Sequence, residues 1–364
     1  MEPFVNQQAV PSNTLRVLMH CALTLSLLFL ARSATATDAP AGRNGAEQRK
    51  PSSVQYEAMP KIWISSDAFW IDDSRLIFSS SDFNANWHLG DLPRIVIFDT
   101  HTRKVELTAY SGYLYCYSAK NMIVDGGARA GRPVILVGRL GEPLRELEEH
   151  RRPTVTGIDC ESIELKDGEV TIDLQPGDGR IRFAGGPSHI ASDAYRVEFV
   201  ADDGKVTGTA AATSRTLPAG NRFVYLPWSR RYMKQGAIGP QHGIAGSFVD
   251  PAAASITPVP GPTQLTEMAD SNMGNGDVYA SKAGLLWRFR AYAGRSRFQG
   301  LFLQTASGLE RVDDHDVWAP SNVSPDGCKF FYGRVAGDHA VTDPFEHRDS
   351  YDVVLVNVCN GETK

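Results

Sequence analysis

The chain has 364 residues and a formal net charge of −5 with no basic stripe, so it carries no electrostatic footprint for nucleic acid. Beyond its first apolar run no stretch is apolar enough to cross a bilayer, which argues against a transmembrane span in the mature chain. The length left for folding suits two ordinary domains or one large one.

Arg16 closes a short polar start, and residues 17–31 (VLMHCALTLSLLFLA) form an apolar run of 15. Ala34-Thr35-Ala36 then fits the A-x-A cleavage pattern, so residues 1–36 read as a secretory signal peptide. An uncleaved anchor is the rival reading, although the run falls short of the roughly 20 residues a spanning helix needs. Cys21 follows Leu18-Met19-His20, a poor lipoprotein signal because a small residue is expected just before a lipid-bearing cysteine. Residues 37–53 hold almost no large apolar side chain and read as a disordered leader. Residues 54–364 read as the folded part, exported to the periplasm or the extracellular space.

Four cysteines lie beyond the signal peptide: Cys116, Cys160, Cys328 and Cys359. An even number in an exported chain suggests two disulfides, with three possible connectivities. No spacing among them resembles a zinc or redox motif.

Helical signals are nearly absent, and short apolar runs recur between Gly, Pro, Asp and Asn clusters, the pattern of many short strands. One strand type appears six times, each entered through a small or polar turn: WIDDSRLIFS from Trp70, YSAKNMIVDG from Tyr117, LQPGDGRIRFAG from Leu174, LPAGNRFVYL from Leu217, YASKAGLLWRFR from Tyr279 and VSPDGCKFFYG from Val323. A strand, a tight turn and usually another strand follow each copy. With centres at Phe78, Val124, Phe183, Val224, Trp287 and Phe331, the mean spacing is about 51 residues, close to the roughly 40 to 50 of one propeller blade.

The phrase Ser324-Pro325-Asp326-Gly327 before CKFFY, with the later DVVLVNVCNG, resembles the repeats of TolB-type and WD-like propellers. The first copy, WIDDSRLIFSS followed by RIVIFDTHTRKVEL, carries the resemblance next best, and the other four match in pattern only. The resemblance implies an all-β, six-bladed β-propeller spanning 54–364 as a single domain. The alternatives are seven blades or two packed β-sandwiches. A blade motif does not specify a function, because propellers host unrelated activities.

Six second strands are expected, near 76–80, 121–125, 180–184, 221–226, 284–289 and 328–333. Cys328 opens the second strand of the last repeat and Cys359 ends its third. Antiparallel neighbours put those two ends side by side, which pairs the two cysteines and leaves Cys116 with Cys160 by elimination. The last repeat lacks residues for a fourth strand, and an uncovered third strand would expose a hydrophobic edge. Residues 54–59 (VQYEAM) alternate apolar with polar and are expected to fill that place antiparallel to 352–358, closing a ring.

Function is less legible. Three loops between second and third strands are far longer than a hairpin needs: 79–93, 227–245 and 334–350, with shorter ones at 185–194 and 291–299. Such loops share one rim, and scaffolds commonly carry function on them. Five of the eight histidines beyond the signal peptide (His88, His189, His242, His339, His347) fall there, with Trp87, Trp228 and Tyr232. In the run Trp228 to Lys234, aromatic faces stand beside Arg230 and Arg231, a chemistry suited to sugars, carboxylates or phosphates. The candidate binding set is therefore Trp87, His88, Trp228, Arg230, Arg231, Tyr232, His242 and His347.

The histidines show no zinc-ligand spacing and no H-E-x-x-H occurs, so no metal is assigned, and no sequence pattern implies a cofactor. Asp343, Glu346 and Asp349 with His347 are the acid–base candidates, as a carboxylate pair would be in a glycosidase. Asp72-Asp73 opens a strand, where Asp caps backbone donors, and His315 lies between Asp314 and Asp316. No G-x-S-x-G or phosphate-cradling glycine loop is present. The leading expectation is a non-catalytic binding or scaffold propeller of the cell envelope, holding a protein or glycan on its long-loop rim. The rival is an exported propeller enzyme, a polysaccharide hydrolase or lyase.

Overall fold

The computed structural model describes residues 55–60, 62–83, 92–129, 132–147, 160, 165–166, 169–184, 194–213, 223–235, 237–239, 243–244, 246–261, 276–289, 299–315, 317–318, 320–335 and 351–359. The signal peptide and leader read from the sequence lie outside them. Among them no helix is long and apolar enough to cross a membrane.

The described chain is all-β and builds six antiparallel sheets. The first takes Phe69–Trp70, Arg75–Ser80, Arg94–Asp99 and Lys104–Ser111, in chain order from one edge to the other. The second repeats this with Tyr113–Tyr117, Met122–Arg129, Arg132–Gly138 and Arg145–Glu146. The third adds the short Leu165–Lys166 before Glu169–Asp173, Arg180–Ala184, Ala194–Val200 and Val206–Thr213. The fourth holds Phe223–Leu226, Arg231–Lys234, Ser247–Asp250 and Ser255–Pro258. The fifth is built on Gly276–Ala280, Leu285–Phe289, Gly300–Thr305 and Gly308–Asp313.

The sixth sheet is composite. Val317–Trp318, Lys329–Val335 and Tyr351–Asn357 come from the end of the chain, and Gln55–Ala58 supplies the fourth strand. It runs antiparallel to the third, with Gln55 opposite Asn357 and Ala58 opposite Val354, and Met59 N–H donates to Val353 O at 3.1 Å. This is the closure expected for 54–59.

Each sheet has two faces to bury, and a ring buries them against neighbours. Apolar clusters mark six successive junctions. Ile77 and Ile95 meet Leu114 and Val124 between sheets one and two. At the connection from two to three, Cys116 and Ile123 of the second sheet meet Cys160, which precedes the third sheet's strands. Phe183 and Phe199 meet Tyr232 and Val249 between three and four. Met233 and Val259 meet Val278 and Trp287 between four and five. Leu286 and Leu301 meet Phe330 and Tyr332 between five and six. Phe331 and Leu355 meet Phe78 and Phe98 between six and one. The chain is therefore a six-sheet β-propeller.

Cys328 and Cys359 are bonded at the ends of two strands of the last sheet, and Cys116 of the second sheet is bonded to Cys160 on the segment before the third. The second bond depends on a register shift between Leu114 and Cys116. A bulge inverts the two-residue alternation of side chains. Leu114 opposes Val124 and packs toward the first sheet, whereas Cys116 opposes Ile123 and turns to the other face, where Cys160 lies.

Five of the six expected second strands stand where the repeat puts them, and the fourth does not. Phe223–Leu226 is the first strand of its sheet, and Arg231–Lys234 is the second. The apolar FVYL matched the template better than RYMK, whose flanking cations hide two buried residues, Tyr232 and Met233. The stretch 227–245 is consequently not one loop. It contains the tight turn 227–230, with Arg230 at φ 51°, the second strand, and a hairpin of Ala237–Gly239 with Gly243–Ile244. That hairpin pairs with the first strand of the fifth sheet, Ala237 opposite Asp277, and so reaches the edge that faces the ring's axis.

Candidate functional site

Of the eight residues expected to form one binding rim, four are described, and those four do not share one surface. Trp87, His88, His242 and His347 lie outside the described residues, as do His189, His339, Asp343, Glu346 and Asp349. Trp228 and Arg230 sit in a turn between first and second strands, at the opposite end of the ring from the second-to-third loops. Trp228 is half-buried against the fourth–fifth junction and over Gly327, where a Cβ would come within 2.7 Å of the indole. It is a packing residue.

Arg231 is exposed and pairs with Asp250 at 3.2 Å on the neighbouring strand. Tyr232 is fully buried. Its hydroxyl donates to Asp178 Oδ2 at 2.6 Å and accepts from Gln175 N–H at 2.8 Å. Burial and the Asp178 contact push its pKa well above the usual phenol value. Tyr232 therefore joins the third and fourth sheets and is removed from the binding set.

The structure assembles a different site on the axis. The first strands of the sheets converge there, and a cavity of about 140 Å³ opens where their ends turn back. Phe69, Trp70, Tyr117, Tyr225, Pro227 and Pro325 supply rings to its wall, with Val224, Leu226, Ala280 and Val323 between them. Gln235 and Asn322 are its amide side chains, joined by Gln235 Nε2 donating to Asn322 Oδ1 at 2.8 Å. Trp70 Nε1–H donates to Asn322 O at 2.7 Å, which fixes the indole. Burial raises the Tyr117 hydroxyl pKa. Among the described residues no carboxylate, histidine or lysine lines this cavity.

A smaller cavity of about 30 Å³ continues along the axis, sharing Phe69, Gln235 and Asn322 and adding Tyr115, Asp67 and Arg288. Arg288 and its cross-strand partner Asp277 are both buried and pair at 3.1 Å.

The turns around the wider end interlock. Asp72 Oδ1 accepts from Ser74 N–H and Arg75 N–H at 2.9 Å each. Against the opposing effect of burial, those bonds and the Arg75 side chain hold its carboxyl at about 2, so it caps a turn as the sequence reading expected. Asp73 Oδ1 accepts from Asp326 N–H at 2.7 Å, and Lys282 N–H donates to Gly327 O at 2.9 Å. The Ser-Pro-Asp-Gly phrase is thus the hub that ties turns of the first, fifth and sixth sheets.

A second polar cluster caps the fifth–sixth junction. Asp313 accepts from His315 Nδ1 and Tyr332 hydroxyl, both at 2.7 Å, and from Arg334 at 3.1 Å. Burial opposes ionisation, but these bonds hold its carboxyl far below the usual range. The hydrogen bond to Asp313 raises the His315 pKa. A general acid needs a carboxyl raised toward the working pH, and Asp313 is moved the other way. Asp314 completes a trio with Asp313 and His315 in metal-ligand geometry, but Asp313 already spends both oxygens on four donors, and Arg334 opposes a cation there.

The axial residues were missed because nothing local marks them. Gln235 follows a strand disguised by its flanking cations, and Asn322 is one polar residue in the approach to the Ser-Pro-Asp-Gly phrase. Three tyrosines in YLYCY at 113–117 were the available signal.

No family model matches the chain. No curated relative matches it. Among solved structures it is similar to YCF48 bound to D1 peptide, at 11% identity and a TM-score of 0.35, covering 86% of this chain and 97% of that one. It is also similar to an acylaminoacyl peptidase of Pyrococcus horikoshii (8% identity, TM-score 0.32, 76% of this chain and 43% of that one). A third is the β-propeller domain of the Trilobed protease from Pyrococcus furiosus (9%, 0.32, 77% and 80%).

Proposed function

We propose that this chain is an exported, non-catalytic binding propeller of the cell envelope that holds a protein or glycan partner at its axis. One observation carries the reading: among the described residues the wider axial cavity is lined by rings and amides and by no group that transfers a proton near neutral pH. Export fits the two disulfides, which persist in oxidising compartments. The TolB-like character of the first and last repeats is compatible with such a role.

The test is affinity capture from the native envelope together with a glycan array, using wild type and Tyr117→Ala. A retained partner that Tyr117→Ala loses, at unchanged melting temperature, is the expected result. Shortening of polysaccharide chains by the wild type would replace this reading with the hydrolase or lyase one.

A further inference from the structure

The axial cavity is specific enough in shape and polarity to name the group it takes. We infer that its wider end is a socket for a tyrosine side chain presented by a protein partner. The inference rests on the binding reading and deepens it.

Size comes first. A dry engineered cavity of about 150 Å³ binds benzene. The wider cavity here, about 140 Å³, therefore suits a single six-membered aromatic ring. Its walls are right for one, because Phe69, Trp70 and Tyr225 present ring faces and edges that pair with another aromatic.

Polarity narrows the choice. Gln235 is only 6% exposed, so its amide was not left there as a solvated surface group. Gln235 and Asn322 spend one donor and one acceptor on each other. Whichever way the two amides are flipped, the pair retains one carbonyl oxygen and one NH₂ group, and both side chains line the cavity. A phenol hydroxyl is the complement, since it donates once and accepts as well. Phenylalanine would leave both amide groups unpaired. A pyranose would bring several hydroxyls against Leu226, Ala280, Val323 and the two prolines, where they find no partner.

The site is also rigid. Trp70 is fixed to Asn322, and the turns carrying Pro325 and Asp73 are tied together, so little ordering accompanies binding.

The test uses the full exported chain with p-cresol, toluene and methyl α-glucoside, each titrated by calorimetry while the Trp70 indole resonance is followed by NMR. The inference expects p-cresol to bind at least about fivefold tighter than toluene, to shift the Trp70 signal, and the glucoside not to bind. Gln235→Leu should weaken p-cresol about tenfold and leave toluene unchanged. Equal binding of p-cresol and toluene by wild type, preferential binding of the glucoside, or no binding at all would each overturn it. None of these readouts depends on a captured partner. If p-cresol binds as expected while no envelope protein is retained, the socket stands and the partner reading falls.

Discussion

The seam between the sixth and first sheets and the seam between the second and third are solved by opposite means. At the first, Phe331 stacks against Phe78 with ring centroids 5.9 Å apart and meets Phe98 at 5.8 Å, within a cluster of twelve buried residues. At the second, the buried cluster among the described residues is Cys116, Ile123 and Cys160. The cause lies in the strands. The first sheet reads Leu76-Ile77-Phe78 and Ile95-Val96, apolar at consecutive positions, so both faces bury. The third reads Arg-Ile-Arg-Phe and Arg-Val-Glu-Phe, so Ile181, Phe183, Val197 and Phe199 face the fourth sheet, while Arg182 and Arg196 pair with Glu198 on the other side. A face without apolar side chains gains little from burial, and there a disulfide ties the second sheet to Cys160, on the chain that leads into the third.

The largest effect should come from breaking the apolar seam where the chain ends meet. Deleting residues 1–59 removes four ladder positions and the buried Met59. At about 1 kcal/mol per ladder position and about 2 kcal/mol for the methionine, the loss is roughly 6 kcal/mol, a large part of a domain's stability. It also uncovers the Tyr351–Asn357 edge, so aggregation on heating is expected. Deleting residues 1–50 should leave the melting temperature nearly unchanged. Equal melting temperatures for the two deletions would remove the closure strand from the account of stability.

The covalent seam makes the next largest prediction. Chain-entropy arguments give the Cys116–Cys160 and Cys328–Cys359 bonds, with sequence separations of 44 and 31, similar values of about 3 to 4 kcal/mol. They should differ in where the structure opens. Cys116→Ala with Cys160→Ala leaves the second–third seam with little to hold it, and amide exchange should rise along Tyr113–Tyr117 and Arg132–Gly138. Cys328→Ala with Cys359→Ala leaves seven ladder pairs between the bonded strands, so exchange should rise only at their ends. Matching exchange patterns in the two double variants would dissolve the distinction between the seams.

Both kinds of seam were visible in the sequence, one as runs and the other as alternation. The repeat spacing placed five sheets, and the shortage of residues after Asn360 called for a strand from 54–59. What could not be read was the fourth sheet, because turn chemistry at 227–230 and not hydrophobicity decides which of two weak strands comes first. The described part of the candidate rim came apart for a related reason. A rim argument adds loop residues as though loops kept to one end, yet 227–245 divides into a turn, a strand and a hairpin with different destinations. Gln235 and Asn322 are 87 positions apart and meet only because the ring brings the first edges of its sheets to one axis.

The smallest effect separates the apolar seams by their charge. Among the described residues, the fifth–sixth junction is capped by His315, held by Asp313 (which also accepts from the Tyr332 hydroxyl) and facing Asp314 and Arg334. The folded pKa of His315 is raised, so the folded state binds the proton more tightly than the unfolded chain, whose histidine titrates near 6.5. The stability it contributes is fully present below about pH 6.5 and is lost as pH rises through the folded value. Asp313 behaves oppositely: its depressed pKa adds stability above about pH 4 that is lost only in acid, so it contributes no slope near neutrality. Between pH 6 and 9 the wild-type melting temperature should therefore decline modestly, since the histidine is one-third exposed and solvent screens its pair. His315→Gln should flatten that decline, while leaving the response to acid, which belongs to Asp313, in place. A variant whose decline over that range matches wild type would show that the cap does not titrate with folding, and that the fifth–sixth seam is held by its apolar cluster alone.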